Sequence, residues 1–445
     1  MLTIQGSSMG RFCDGLSRRN FLSVGAMGLG FGGLTWPDMS RLLAAQKEPK
    51  PRYKAVINLH LEGGPPQMDT FDMKPESQVA LRGEFVPIRT KVPGTHICEL
   101  LPRLAKLTDK FSIIRSVVGN INKHNFDTTQ LGYAGFNAPD PAMTTIGGAP
   151  AVGAVISKLL GGRDGMPAYT WDKVGGSQEP VQTGWIGGRY KPFEPKYGAQ
   201  MLRRAIPEDR LNDRVGLLKT FDKIRRDADA KGNMASLDAY TQEAMDMLLS
   251  GRMAEAMDLS KETKATRDKY LRGAKGYGGQ TERLLLARRL VEHGARYVSL
   301  NWGGYLGFDS HDNNYPKMRN ILPPFDASLA ALIEDLHERG LDKDVLVVAW
   351  GEFGRTPKVN EKAGRDHWPP VQCALIIGGG LKMGQIIGAT DRMAGEPTER
   401  PVHVHEILAT IYRHCGIDPE ETQLIDPTGR PRYLLEHRKP VAELL

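Results

Sequence analysis

The sequence predicts an α/β protein, a three-layer α/β/α sandwich built on a largely parallel sheet. Three observations carry that expectation. Short apolar runs, several rich in β-branched residues, recur at 55–61, 111–118, 295–301, 345–350 and 373–377. Stretches with helical spacing of apolar residues lie between them. The Gly, Asp, Glu, His and Asn that could carry chemistry cluster just past the strand ends, where open α/β sheets place their ligands.

The 445 residues suit one large domain or two medium ones. Net charge is +7, with no dense Lys/Arg block, so nucleic acid is not the expected partner. Four cysteines, at 13, 98, 373 and 415, show no CxxC spacing, which argues against a zinc ribbon or a redox pair. At the N-terminus, Ser17-Arg18-Arg19-Asn20-Phe21-Leu22 precedes an uncharged stretch ending near Trp36. Paired Arg followed by an apolar segment is the pattern of a twin-arginine export signal. Residues 1–45 are therefore assigned to a signal peptide, and 46–445 to a single domain with a helical insertion at about 205–293. The apolar stretch is short and Gly-rich for a membrane span, so none is expected after processing.

The elements follow in order. The run 55–61 (AVINLHL) opens onto Glu62-Gly63-Gly64-Pro65-Pro66-Gln67-Met68-Asp69-Thr70-Phe71-Asp72. Asp69 and Asp72 suit metal ligation or an Asx turn. Residues 100–110 have helical spacing at Leu101, Leu104 and Leu107. The strand 111–118 (FSIIRSVV) opens onto His124, Asn125, Thr128 and Thr129, where a helix begins; the polar groups suit an anion or nucleophile site, or ordinary capping. Residues 147–161 form a small apolar helix, and 162–205 read as loop and lid. The charged segment 207–293 reads as helical. The strand 295–301 leads to Asp309-Ser310-His311, an oxygen and an imidazole close together. A helix over 323–339 connects to the strand 345–350. That strand, apolar throughout, fits burial on both faces and opens onto Gly351, Glu352, Gly354 and Arg355, then Arg365-Asp366-His367-Trp368. Carboxylates and imidazoles together beyond a strand end suit a divalent metal, or a salt-bridged loop. Arg355 suits a grip on an anionic oxygen, or a salt bridge to Glu352. After the strand 373–377, the helix 403–414 begins with His403 and His405, which read as metal ligands or as caps.

The leader SRRNFL, GGPPQMDTFDMKP, the 92–116 run, LLLARRLVEHGARYVSLNWGG with FDSH, WGEFGRTP, GRDHWP and HEILATIYRHCGID together resemble a bacterial exported family. That family is the domain of unknown function fifteen-oh-one, similar to sulfatases and to the alkaline-phosphatase-like superfamily. The resemblance implies one or two divalent ions, Zn²⁺, Mn²⁺ or Ca²⁺, at the carboxyl edge of the sheet. By motif, Asp309 and His311 look like one Asp/His ligand pair, Glu352 like the carboxylate after the next strand, and His367 like the late His ligand. The first-strand carboxylate looks like Asp69, or else Asp72. The nucleophile region maps to His124, Asn125 and Thr128, with Arg355 as a substrate-binding residue. The Cys/Ser-x-Pro-x-Arg signature of sulfatases is absent, which argues against a formylglycine nucleophile.

The implied activity is an exported, metal-dependent hydrolysis of a phosphate or sulfate ester. The substrate would be a small anionic ester or a sulfated or phosphorylated glycan, and the location periplasmic or otherwise extracytoplasmic. The alternative is a non-catalytic sulfatase-fold protein that binds glycans or serves assembly.

Overall fold

The computed structural model describes residues 53–124, 127–132, 148–172, 183–195, 251–272, 277–303 and 307–445. The expected leader 1–45, most of the first part of the expected insertion and Asn125 lie outside the described residues.

The central sheet is made of β1 (Ala55–Leu61), β2 (Phe111–Val118), β3 (Tyr169–Asp172), β4 (Tyr297–Trp302), β5 (Val345–Trp350), β6 (Gln372–Gly378), β7 (Ile386–Ile387) and β8 (Val402–His403). Its order is β7-β2-β6-β5-β1-β4-β3, with β8 following β7 along β2. β1 lies parallel between β5 and β4, with Ile57 opposite both Val347 and Val298. One strand breaks the pattern. β6 runs antiparallel to both β5 and β2.

Apolar side chains on the two faces of this sheet enter separate cores. Ile57, Leu59 and Leu61 of β1 join the core containing α4 (Gly278–His293) and α5 (Asn314–Glu338). Val56 of β1 and Leu346 and Val348 of β5 join the core containing α1 (Val152–Leu160) and α6 (Val404–His414). This is the three-layer α/β/α arrangement with a largely parallel sheet. β1, β4 and β5 are buried along their whole length, as strands covered on both faces must be.

α2 (Arg252–Met257) packs with α4, and α3 (Lys264–Leu271) packs with α4 and α5. Glu262 receives Arg288 at 2.9 Å and Arg339 at 3.1 Å, and Arg288 also reaches Asp335 at 2.8 Å, so one ionic network spans the α3, α4 and α5 region.

Three elements differ from the sequence reading. Residues 162–205 contain the edge strand β3, which the surrounding Gly and Pro conceal. The helix expected from 323 starts at Asn314, and Pro323 and Pro324 lie inside it instead of at its first turn. The helical stretch expected over 100–110 breaks into Pro102–Ala105 and the 3-10 turn Thr108–Lys110. Cys98, Cys373 and Cys415 are free thiols. Among the described residues, no helix is long and apolar enough to cross a membrane.

Candidate metal centre

The loops leaving β1, β2, β4 and β5 all emerge at the same edge. Because β6 runs the opposite way, the segment entering it, with His367, arrives at that edge too. The turn after β1 holds these loops together. Gly63 and Gly64 have φ of +103° and +74°, a region that L side chains rarely adopt. A Cβ at Gly63 would stand 2.3 Å from the Asp309 nitrogen, and one at Gly64 would stand 2.6 Å from the Phe353 oxygen. The bare glycines thus let the β4 and β5 exit loops touch the β1 exit.

Four side chains converge there. One donor atom from each of His124, Asp309, His311 and His367 lies within 4.8 Å of the others. His124 Nε2 is 3.4 Å from Asp309 Oδ2. His311 Nε2 and His367 Nε2 lie 3.2 and 3.4 Å from Asp309 Oδ1 and only 3.1 Å from each other.

The opposite nitrogen of each ring is held by an oxygen. His124 Nδ1 donates to Glu352 Oε1 at 2.8 Å, His311 Nδ1 to Asp366 Oδ1 at 2.6 Å, and His367 Nδ1 to Asn122 Oδ1 at 2.7 Å. Carboxylate and amide oxygens only accept, so each Nδ1 carries the hydrogen. In the neutral rings every Nε2 is then a bare lone pair aimed at one small volume beside a carboxylate. That is repulsive unless positive charge sits among the donors. Imidazoles oriented by an outer oxygen are the usual support of a metal site, and the donor set present fits a divalent ion.

In the metal-free protein, protons partly supply the charge. Burial would lower the pKa of His124, but its bonds to Asp309 and Glu352 outweigh that and raise it to about 9. Burial would raise Asp309, but His124, His367 and Arg355 hold its carboxyl far below the usual carboxylate range. The bond from His311 lowers Asp366 as well.

Asp309, His311 and His367 come together as the sequence reading grouped them, and His124 joins them as a fourth possible ligand. Glu352 stands behind His124 instead of among the four. It is fully buried and also accepts the Gly63 N–H at 2.9 Å. Asp69 is placed elsewhere, which corrects the reading of it as a metal ligand. Its carboxylate takes Arg365 at 2.8 and 3.1 Å and Asn314 at 2.8 Å, all in the interior. Asp72 is likewise buried, against Lys74 and Thr390.

Arg355, read as a substrate grip, is buried and already engaged. It donates to the carbonyls of Gly63, Gly64 and Arg365 and, at 2.5 Å, to Asp309 Oδ1, which makes it a clamp on that carboxylate. Its carboxylate partner is Asp309, not Glu352. Asn125 and the Thr128 side chain lie outside the described residues. Thr129 is buried against His60 at 2.9 Å. The sequence reading missed Asn122, Asp366 and Arg365 as supports, although Arg365 and Asp366 directly precede His367 in GRDHWP.

A cleft of about 1250 Å³ opens beside His311 and Asp366. Lys358, Asn360, Glu361, Lys362 and Trp368 are among its lining residues. His311 borders it with 47% of its side chain exposed.

A family model described as "Protein of unknown function (DUF1501)" matches residues 53–445. The chain belongs to this family. No curated protein sequence matches it. Among solved structures, the DUF1501 chain is similar to the PsFucS1 sulfatase from Pseudoalteromonas sp., with 11% identity and a TM-score of 0.39 over 85% of this chain and 71% of that one. It is also similar to the periplasmic domain of EcEptC from Escherichia coli in complex with Zn, with 10% identity and a TM-score of 0.38 over 88% and 92%. A third is the lipoteichoic acid synthase LtaP from Listeria monocytogenes, with 11% identity and a TM-score of 0.34 over 84% and 75%.

Proposed function

We propose that the chain is an exported, metal-dependent hydrolase of a phosphate or sulfate ester. The observation that supports this most directly is the set of three imidazoles, each with Nδ1 tied to an oxygen and Nε2 turned toward Asp309. His124, His311, His367 and Asp309 would hold the ion. Three nitrogens and one oxygen suit Zn²⁺ or Mn²⁺ better than Ca²⁺, which prefers oxygen throughout. When bound, such an ion supplies Lewis acidity toward an anionic ester and acidifies water.

The protein's part is placement. Glu352, Asp366 and Asn122 fix the ring orientations, and Arg355 fixes the carboxylate. The Phe353 ring packs 4.3 Å from the His367 ring and 5.2 Å from the His124 ring, measured between centroids, and shields that side from water. The cleft receives the rest of the substrate. Its lining carries Glu361, Asp366, Asp391 and Glu396 against Lys358 and Lys362, which suits a monoester with a neutral polar body more than a polyanion. The leader 1–45 would direct the folded protein through the twin-arginine route to an extracytoplasmic location.

A second reading keeps the ion but not turnover, with the chain binding glycans or serving assembly. One observation favours it: Arg355 spends its fork on the protein and is not offered to a substrate oxygen. Elemental analysis of protein purified without chelator, with an arylsulfate and arylphosphate screen, separates the readings. The hydrolase reading expects bound metal and turnover that His367→Ala abolishes. Metal without turnover moves the conclusion to the second reading, and absence of both overturns it. Export is tested separately, since Arg18→Lys with Arg19→Lys should keep the protein in the cytoplasm.

A further inference from the structure

A second group of imidazoles gathers on the far side of β2 from β6. His403 ends β8 and lies opposite Val118 of β2. His405 stands in the first turn of α6, and His437 comes from the C-terminal segment. The ring centroids of His403 lie 4.5 Å from those of both His405 and His437, and the latter two are 5.5 Å apart. One ring nitrogen from each lies within 4.8 Å of the others. The rings run from the interior outward, with His405 buried, His403 half-buried and His437 exposed.

The hydrogen bonds show which nitrogens are on offer. His403 Nδ1 accepts the His405 N–H at 3.2 Å as the cap of α6, which leaves Nε2. His405 Nε2 donates to the Gly132 carbonyl, which makes Nδ1 the lone-pair nitrogen. That Nδ1 accepts the His437 backbone N–H at 3.2 Å. Neither ring nitrogen of His437 meets a partner among the described residues. A ring held through one nitrogen by a backbone oxygen, beside two further imidazoles, repeats the outer support seen around Asp309. Burial, the neighbouring imidazoles and, at His405, the opposing Gly132 bond leave His403 and His405 at about 4, so both are neutral at pH 7.

We propose that His403, His405 and His437 form a second site, for a borderline divalent transition ion such as Zn²⁺, Ni²⁺ or Cu²⁺. A donor set of imidazoles without a carboxylate selects these ions over Mg²⁺ and Ca²⁺. On loading, His405 Nδ1 exchanges the bond from the His437 N–H for the ion. The site is structural. It pins the C-terminal segment to the start of α6 and to the exit of β2, where a Cβ on Gly119 would lie 2.5 Å from His403 Nε2. The β2 exit also carries Asn122 and His124, so the ion would steady the loop that supplies two groups of the Asp309 cluster. The inference does not depend on the hydrolase reading.

The test uses the full mature chain with His367→Ala, which removes a donor of the Asp309 cluster, titrated with Zn²⁺ by calorimetry and checked by elemental analysis. One Zn²⁺ per chain should bind, and adding His437→Gln should remove it. His437 is exposed, so the second change is compatible with folding, and far-UV circular dichroism checks that. Zn²⁺ should raise the melting temperature of the His367→Ala protein and leave that of the double variant unmoved. No binding by the His367→Ala protein, or equal binding by the double variant, overturns the proposal.

Discussion

His124 sets a competition between a proton and a metal ion. In the metal-free protein its pKa is raised to about 9, burial working against the rise and the bonds to Asp309 and Glu352 producing it. A nitrogen that ligates must first lose its proton. At pH 7, expelling it costs about 2.7 kcal/mol at face value, from 1.36 kcal/mol per pH unit. With 26% of the side chain exposed, screening by water leaves about half of that. The apparent affinity for Zn²⁺ should therefore rise roughly 5- to 50-fold from pH 7 to pH 9, with up to about one proton released per ion at pH 7. The stability of the metal-free chain moves oppositely. A raised pKa on a base stabilises fully below its unfolded value of about 6.5, and that contribution fades as pH climbs through about 9. The assay is calorimetric titration of chelator-stripped protein with Zn²⁺ held by a competing chelator, in buffers of differing ionisation enthalpy. His124→Gln should flatten the pH dependence. A flat profile for the wild type, or an equal slope in His124→Gln, refutes the reasoning.

Three further outcomes follow from the packing. Asp69→Asn leaves the fully buried Arg365 guanidinium without its carboxylate, so the unfolding free energy in urea should fall by about 3–5 kcal/mol while metal bound per folded chain stays the same; a loss below about 1 kcal/mol contradicts this. Gly63→Ala drives a Cβ into the Asp309 backbone at a positive φ and should weaken Zn²⁺ binding at least about tenfold, whereas Gly94→Ala, also at positive φ but with open space around it, should leave binding unchanged. Arg355→Lys removes the fork that holds Asp309 and should cost about 10- to 100-fold in metal affinity, read by chelator competition; unchanged affinity removes the clamp.

The strands were the most legible part of the chain. The runs 55–61, 111–118 and 345–350 coincide with β1, β2 and β5; β5, buried on both faces, is apolar throughout, whereas β1 and β2 are carried by their β-branched and aliphatic residues around Asn58 and His60, and around Ser112, Arg115 and Ser116. The direction of β6 was not legible, since the same composition serves a parallel or an antiparallel neighbour. The grouping of Asp309, His311 and His367 could be anticipated because each follows a strand end or precedes β6 at one edge. Asp69 shows where such reasoning stops. Position after a strand says that a carboxylate is near the edge, but not which way it points, and Arg365 in a distant segment decides that. Glu352 shows a related gap: residue type does not separate a ligand from the group that orients a ligand. Arg355 was legible as an ionic residue but not as a buried one, because its acceptors are mostly backbone carbonyls of other loops.

The short ladder pairing Gly354–Arg355 with His367–Trp368 has a consequence for how relatives can diverge. It clips shut the base of an excursion whose tip, from Thr356 to Lys362, walls the cleft beside His311. The clip keeps His367 and Arg355 in register, and the tip braces the cluster as well, since Asn360 donates to Asp366 Oδ2 at 3.2 Å and the Thr356 hydroxyl accepts the Asp366 N–H at 3.0 Å. One hairpin thereby joins the histidine cluster to the wall of the cleft. A change of the tip that loses Asn360 or Thr356 therefore also loosens Asp366, the group that orients His311.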